Sequence, residues 1–220
     1  MELTADQEKE VARLRREGVK VDPPEKLVLD PCDAFLPGCL KWATRIHKLN
    51  RAKGWWSKGV RGRNFPEVIL LMKSEIVEAH EEYRKPDSDL RKVWFGSDGK
   101  PEGVSIELAD CAIRILDLVS AVAFEWKIEL PDFEDEIYPI SSNIGEAFDD
   151  VTALLTYARD AWECEEDEVA KHRRLMSKLL GVLRQLFLLS EKNEIDLGEA
   201  IVTKWRYNCT RPFRHGGKRA

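Results

Sequence analysis

The sequence predicts an all-α protein, a helical bundle built from one chain of 220 residues. Apolar residues recur at helical spacing along most of the chain, and start and stop signals bracket those stretches. No stretch of useful length alternates apolar and polar residues as a half-buried strand does. These observations place the chain among folds that pack helix on helix.

In chain order, Thr4 with Gln7 three residues on forms a capping-box pattern that opens a charged helix ending near Gly18. Pro23, Pro24, Pro31 and Pro37 mark Val19 to Pro37 as an irregular arm. A helix over about Gly38 to Lys53 follows, with Leu40, Ala43, Ile46 and Leu49 at helical spacing. Gly54-Trp55-Trp56 then leads into a basic loop, Lys58 to Arg63. Asn64 as N-cap, Pro66 in the first turn and Glu67 at the capping-box position start a helix that runs to about Lys85, just before Pro86. The polar stretch Asp87 to Gly103, which holds Trp94 and Phe95, reads as a loop. A long helix over about Val104 to Lys127 comes next. Beyond Pro139, helices over about Ile144 to Glu165, Asp167 to Lys192 and Leu197 to Asn208 precede a basic tail.

A net charge of −5 argues against a nucleic-acid polymer as partner, because phosphate-backbone binding needs a basic surface. It leaves room for a single nucleotide met by a metal and a few local cations. The N-terminus lacks a basic segment followed by an apolar one, so no signal peptide is expected. The longest apolar stretch, Ala112 to Phe124, is broken by Arg114 and Asp117 and is too short to span a bilayer, so no membrane partner is expected. The five cysteines (Cys32, Cys39, Cys111, Cys164 and Cys209) are scattered and form no CxxC pair. That pattern argues against a zinc site or disulfide framework and for a cytoplasmic protein; Cys111 reads as a small core residue.

Two helices carry the chemistry. Glu75 and Glu78 stand at i,i+3, so they share one helix face about a turn apart, and Glu82 falls on the same stripe. Glu107 and Asp110 repeat that spacing on the long helix, which is otherwise apolar nearly all round. Along it, Glu107, Asp110, Arg114 and Asp117 form a narrow polar stripe. Carboxylate pairs on helices are usually a solvated face, and the first pair alone has that reading open to it. The second pair sits on a helix that belongs inside a bundle, where a carboxylate is costly unless paired or metal-bound. Four acidic ligands from two facing helices make a hard, all-oxygen site suited to Mg²⁺ or Mn²⁺. No His stands three residues after Glu75 or Glu107, which disfavours a di-iron site.

With these motifs the chain resembles the all-α NTP pyrophosphohydrolases of the MazG type, a superfamily that includes the dimeric dUTPases and the dCTPases. Glu75-x-x-Glu78 followed by Glu107-x-x-Asp110 is similar to their ExxE…ExxD signature, and Leu71 to Ala79 and Ile106 to Leu118 read like their second and third helices. Ile195-Asp196-Leu197-Gly198-Glu199-Ala200-Ile201, then Lys204-x-x-Tyr207-Asn208-x-x-Arg211-Pro212-x-x-His215-Gly216-Gly217-Lys218, is similar to the closing element of phage-encoded MazG-like and MazZ-type members. Ser74 stands where many members carry a further Glu.

The resemblance implies residues 1–37 as an N-terminal helix and arm, and 38–220 as the MazG-like domain. Within that domain, 38–128 holds the catalytic helices, 129–194 an insert, and 195–220 the closing helix and tail. Leu175 to Arg184 can be laid on the third helix with Ser177 and Leu180 where Glu107 and Asp110 stand, as expected of a duplicated second half that has lost its ligands. The resemblance further implies Mg²⁺-dependent cleavage of an NTP or dNTP between the α- and β-phosphates, with about two or three ions per site. Glu75, Glu78, Glu107 and Asp110 would be ligands, and Glu75 or Glu78 also the base. Lys204, Asn208, Arg211 and Lys218 would meet the phosphates. His47, Asn50, Trp55 and Trp56 would line the base pocket, with core packing as the other role open to the tryptophans. Arg114 would contact substrate or pair with Asp110 at i,i+4. The expected role is in a dNTP pool, of a phage in its host's cytoplasm if the chain is viral, with dGTP or dCTP ahead of dUTP and a homodimer or homotetramer as the assembly. Competing readings are an alarmone (ppGpp) hydrolase and a non-catalytic helical regulator.

Overall fold

Thr4 caps the first helix, α1 (Ala5–Arg16), through a capping box shared with Gln7. The computed structural model describes residues 3–28, 35–129, 140–141 and 143–217. The helices that follow are α2 (Phe35–Ala52), α3 (Phe65–Tyr83), α4 (Val104–Trp126), α5 (Ile144–Glu163), α6 (Glu168–Lys192), α7 (Leu197–Thr210) and a single turn, α8 (Arg214–Gly217). The all-α expectation holds.

The centre of the bundle is α4, which packs against α2, α3, α6 and α7, while the α5–α6 hairpin lies on it with α5 also against α3. Its sequence explains that position: from Val104 to Val122 almost every side chain is buried. Asn64, Asn143, Asp167 and Asp196 cap α3, α5, α6 and α7 with their side-chain oxygens, as helix N-termini require.

The second helix runs across the boundary expected between residues 37 and 38. α2 starts at Phe35, and Pro37 sits in its first turn, where a missing N–H costs nothing. Leu14, Val19, Val21 and Leu27 join the same core as α2 to α7. The arm is tied down by indoles: Trp42 Nε1 donates to Glu25 O at 2.9 Å and Trp205 Nε1 to Val21 O at 2.8 Å. Between α3 and α4, where a loop was expected, two-residue strands β1 (Trp94–Phe95) and β2 (Pro101–Glu102) pair antiparallel. Strands this short leave no alternation to read.

Two loops that flank the later site are pinned to the bundle. Glu125 near the end of α4 accepts from Val60 N at 2.6 Å and Arg61 N at 3.3 Å, which fixes the basic loop before α3. The fully buried Lys53 donates to Glu10 at 2.7 Å and to the carbonyls of Cys209 and Arg211, which draws the end of α7 onto the end of α2. Gly54 (φ +84°) is required there, because the Phe213 ring occupies the space a Cβ would need. Among the described residues no helix is long and apolar enough to cross a membrane.

Candidate active site

Facing helices α3 and α4 bring Glu75, Glu78 and Glu107 together, each with one carboxylate oxygen within 4.8 Å of the others. Glu75 and Glu107 are buried and Glu78 is exposed, so the cluster opens to solvent on the side of Glu78. Burial, with the charge of Asp110 beside it, pushes the Glu107 carboxyl up to about 8. Burial also raises Glu75, against the pull of Arg114. Hard oxygen donors crowded this closely, two of them desolvated, fit a small divalent cation such as Mg²⁺ or Mn²⁺.

The fourth expected ligand is placed differently. Asp110 stands one turn beyond Glu107, and its Oδ2 lies 2.7 Å from the Nζ of Lys204 on α7. Lys204 is fully buried and does not line the cavity described below, so the position expected to clamp phosphate instead neutralises one of the carboxylates. Arg114 bonds across the helix pair to Glu75 Oε1, at 2.7 Å from Nε, rather than to Asp110 on its own helix. Glu82 lies outside the cluster, paired with Lys85.

Beside the cluster lies a cavity of about 260 Å³. Asp110, Ile113, Arg114 and Asp117 of α4 line it together with Asn50, Trp55, Trp56 and Arg63. Asn208, Arg211 and His215 close it from the C-terminal side. Three segments distant in sequence thus converge, including Asn50, Trp55 and Trp56 of the expected base site and Asn208 and Arg211 of the expected phosphate site. Lys218 lies outside the described residues.

Asp117 organises the first of these groups. It meets His47 Nδ1 at 3.0 Å, accepts from Asn50 Nδ2 at 2.7 Å, and accepts from Trp56 Nε1 at 3.0 Å. His47 is buried behind this network and does not line the cavity. The Trp56 ring is covered by the Arg63 guanidinium, 5.2 Å from its centroid, so its indole serves as a platform for Arg63. Removing the shared acceptor leaves three buried or half-buried donors unmatched. Asp117→Ala should therefore cost about 2–4 kcal/mol in a denaturant melt and shift the Trp fluorescence. An unchanged midpoint would show that the network is dispensable.

Sequence reasoning assigned no part in the site to Arg63, Glu67 or Lys53, all of which line the cavity. Arg63 had one available signal, its place immediately before the Asn64 cap. Lys53 had none. No protein-family model, curated protein or solved structure matches this chain.

Proposed function

We propose that this protein is a Mg²⁺-dependent nucleoside triphosphate pyrophosphohydrolase of the MazG type, which releases a nucleoside monophosphate and pyrophosphate. The observation that carries the reading is adjacency: a three-carboxylate cluster stands next to a cavity lined by guanidiniums, amides and indoles. Asp110 and Arg114 link the two: both line the cavity, Arg114 bonds Glu75, and Asp110 stands one turn beyond Glu107.

Glu75, Glu78 and Glu107 would hold the metal, with Mn²⁺ as the alternative ion, and a divalent ion there would neutralise phosphate charge and acidify water. The chain's own groups divide the remaining work. Arg114 fixes Glu75 in place. Glu78 is solvent-exposed, and no hydrogen bond or ion pair among the described residues engages it, so its lone pairs are open to orient a water. Glu78 is therefore the better base of the two candidates. Arg211 attracts the phosphates. Asn50 has one amide N–H held by Asp117 and keeps its second N–H and its carbonyl; the carbonyl, as an acceptor, suits a base bearing an exocyclic amine. That favours dGTP and dCTP over dUTP. A dNTP-pool role and a homodimeric or homotetrameric assembly belong to the same reading.

The test is product analysis by anion-exchange chromatography after incubation with Mg²⁺ and each NTP and dNTP separately. Monophosphate and pyrophosphate from one nucleotide, lost in Glu78→Ala, is the expected result. Refusal of every common nucleotide with cleavage of ppGpp would make it an alarmone hydrolase. A folded protein that binds no Mg²⁺ would be a helical regulator instead.

A further inference from the structure

Three guanidiniums line the cavity beside the carboxylates, those of Arg63, Arg114 and Arg211. Among the described residues only Arg114 of these three has a carboxylate partner, Glu75. Among the described residues neither Arg63 nor Arg211 forms an ion pair; their charges rest on aromatic faces, Arg63 at 5.2 Å from the Trp56 centroid and Arg211 at 5.6 Å from that of Tyr207. Arg63 Nε is buried with no hydrogen-bond partner. Burial lowers the pKa of both groups and outweighs the pull of the nearest carboxylates, Asp117 and Glu67 around Arg63 and Asp110 and Asp98 around Arg211, none of which pairs with them directly among the described residues. Such a group is costly unless an anion meets it.

Both arginines are also preorganised. Arg63 N donates to Val60 O at 3.0 Å, and Val60 N is fixed on Glu125, so the loop cannot carry Arg63 away without breaking a charged contact. The Arg211 carbonyl is anchored by Lys53. Planar, donor-rich guanidiniums fixed in advance match phosphate oxygens better than mobile ammonium groups do.

We propose that Arg63 and Arg211 together form the anion-binding wall of this cavity, and that Arg63 is a substrate-contacting residue for the phosphate chain. The identity of that chain as a nucleotide's rests on the proposed hydrolase function; the anion wall itself does not. It also explains how a chain of net charge −5 draws a polyanion towards a carboxylate cluster: the attraction is local.

The experiment is calorimetric titration of the full chain with inorganic tripolyphosphate in Mg²⁺, for wild type, Arg63→Gln, Arg63→Lys, Arg211→Gln and Arg91→Gln. The last removes an exposed arginine paired with Asp89 and Glu194, outside the cavity. Each Gln variant at 63 and 211 should weaken binding roughly tenfold or more, as expected for lost charge-assisted hydrogen bonds. Arg63→Lys should fall between, and Arg91→Gln should match wild type. If Arg63→Gln melts early, the Arg63→Lys result decides. Wild-type affinity in both Arg63 variants, or no binding by the wild type, would overturn the proposal. Arginine-dependent binding without cleavage of any nucleotide would leave the anion wall standing and remove the hydrolase reading.

Discussion

Glu107→Gln is expected to make the metal-free protein more stable and to remove nearly all of the proposed hydrolase activity. Glu107 is buried, it stands within 4.8 Å of two other carboxylates, and its carboxyl is held up at about 8 by burial and by Asp110. At neutral pH the unfolded chain carries this group ionised and the folded chain disfavours the charge, so folding works against it. Glutamine keeps the shape and removes that penalty, a gain of about 1–3 kcal/mol, or about 2–4 °C in melting temperature per kcal/mol for a chain of this size. The same change removes a proposed metal ligand. Mg²⁺ should raise the melting temperature of the wild type but not of the variant, and turnover should fall on the order of a hundredfold or more, since loss of even an outer-shell partner costs 10–100-fold. Thermal melts with and without Mg²⁺ check both halves. A variant that Mg²⁺ stabilises as strongly as wild type would remove Glu107 from the metal site.

Lys204→Met is expected to have the opposite sign. Lys204 is fully buried, and its ammonium lies 2.7 Å from Asp110. Deleting one partner of a buried pair leaves an uncompensated charge, here next to Glu107, and should cost about 3–5 kcal/mol. Removing both charges in Lys204→Met/Asp110→Leu should recover most of the stability and none of the turnover, because the polar groups that bridge cluster and cavity are gone. Denaturant melts of the single and double variants form the cycle that checks this. If the single variant instead keeps wild-type stability and loses nucleotide affinity, Lys204 contacts phosphate, as the resemblance of the tail implies.

The helices were legible because their signals are local. The Thr4–Gln7 box, the Asn64 cap with Pro66 behind it and the Asp167 cap act within one turn, so each reads directly from spacing. The unbroken apolar character of α4 likewise announced a central helix. The carboxylates were legible as pairs for the same reason, since i,i+3 spacing sets a common face whatever surrounds it. Which partner each charge would meet was not. Arg114 was open to a substrate contact or to Asp110 on its own helix and bonds to Glu75 on α3; Lys204, a candidate for the phosphates, lies against Asp110. Asp117 stood on the polar stripe without a role until α2 and the loop after it delivered His47, Asn50 and Trp56 to its two oxygens.

By itself, then, the sequence determined the helical class, the caps, the central helix and the two carboxylate pairs, all set by interactions a few residues long. The tertiary structure alone decided that Glu78 faces solvent while Glu75 and Glu107 do not, that Lys204 is a counter-charge, and that Arg63 and Arg211 face one cavity with no carboxylate partner among the described residues. Electrostatic partnership depends on distance and burial in the folded bundle, and positions far apart in the chain acquire both only when the helices pack.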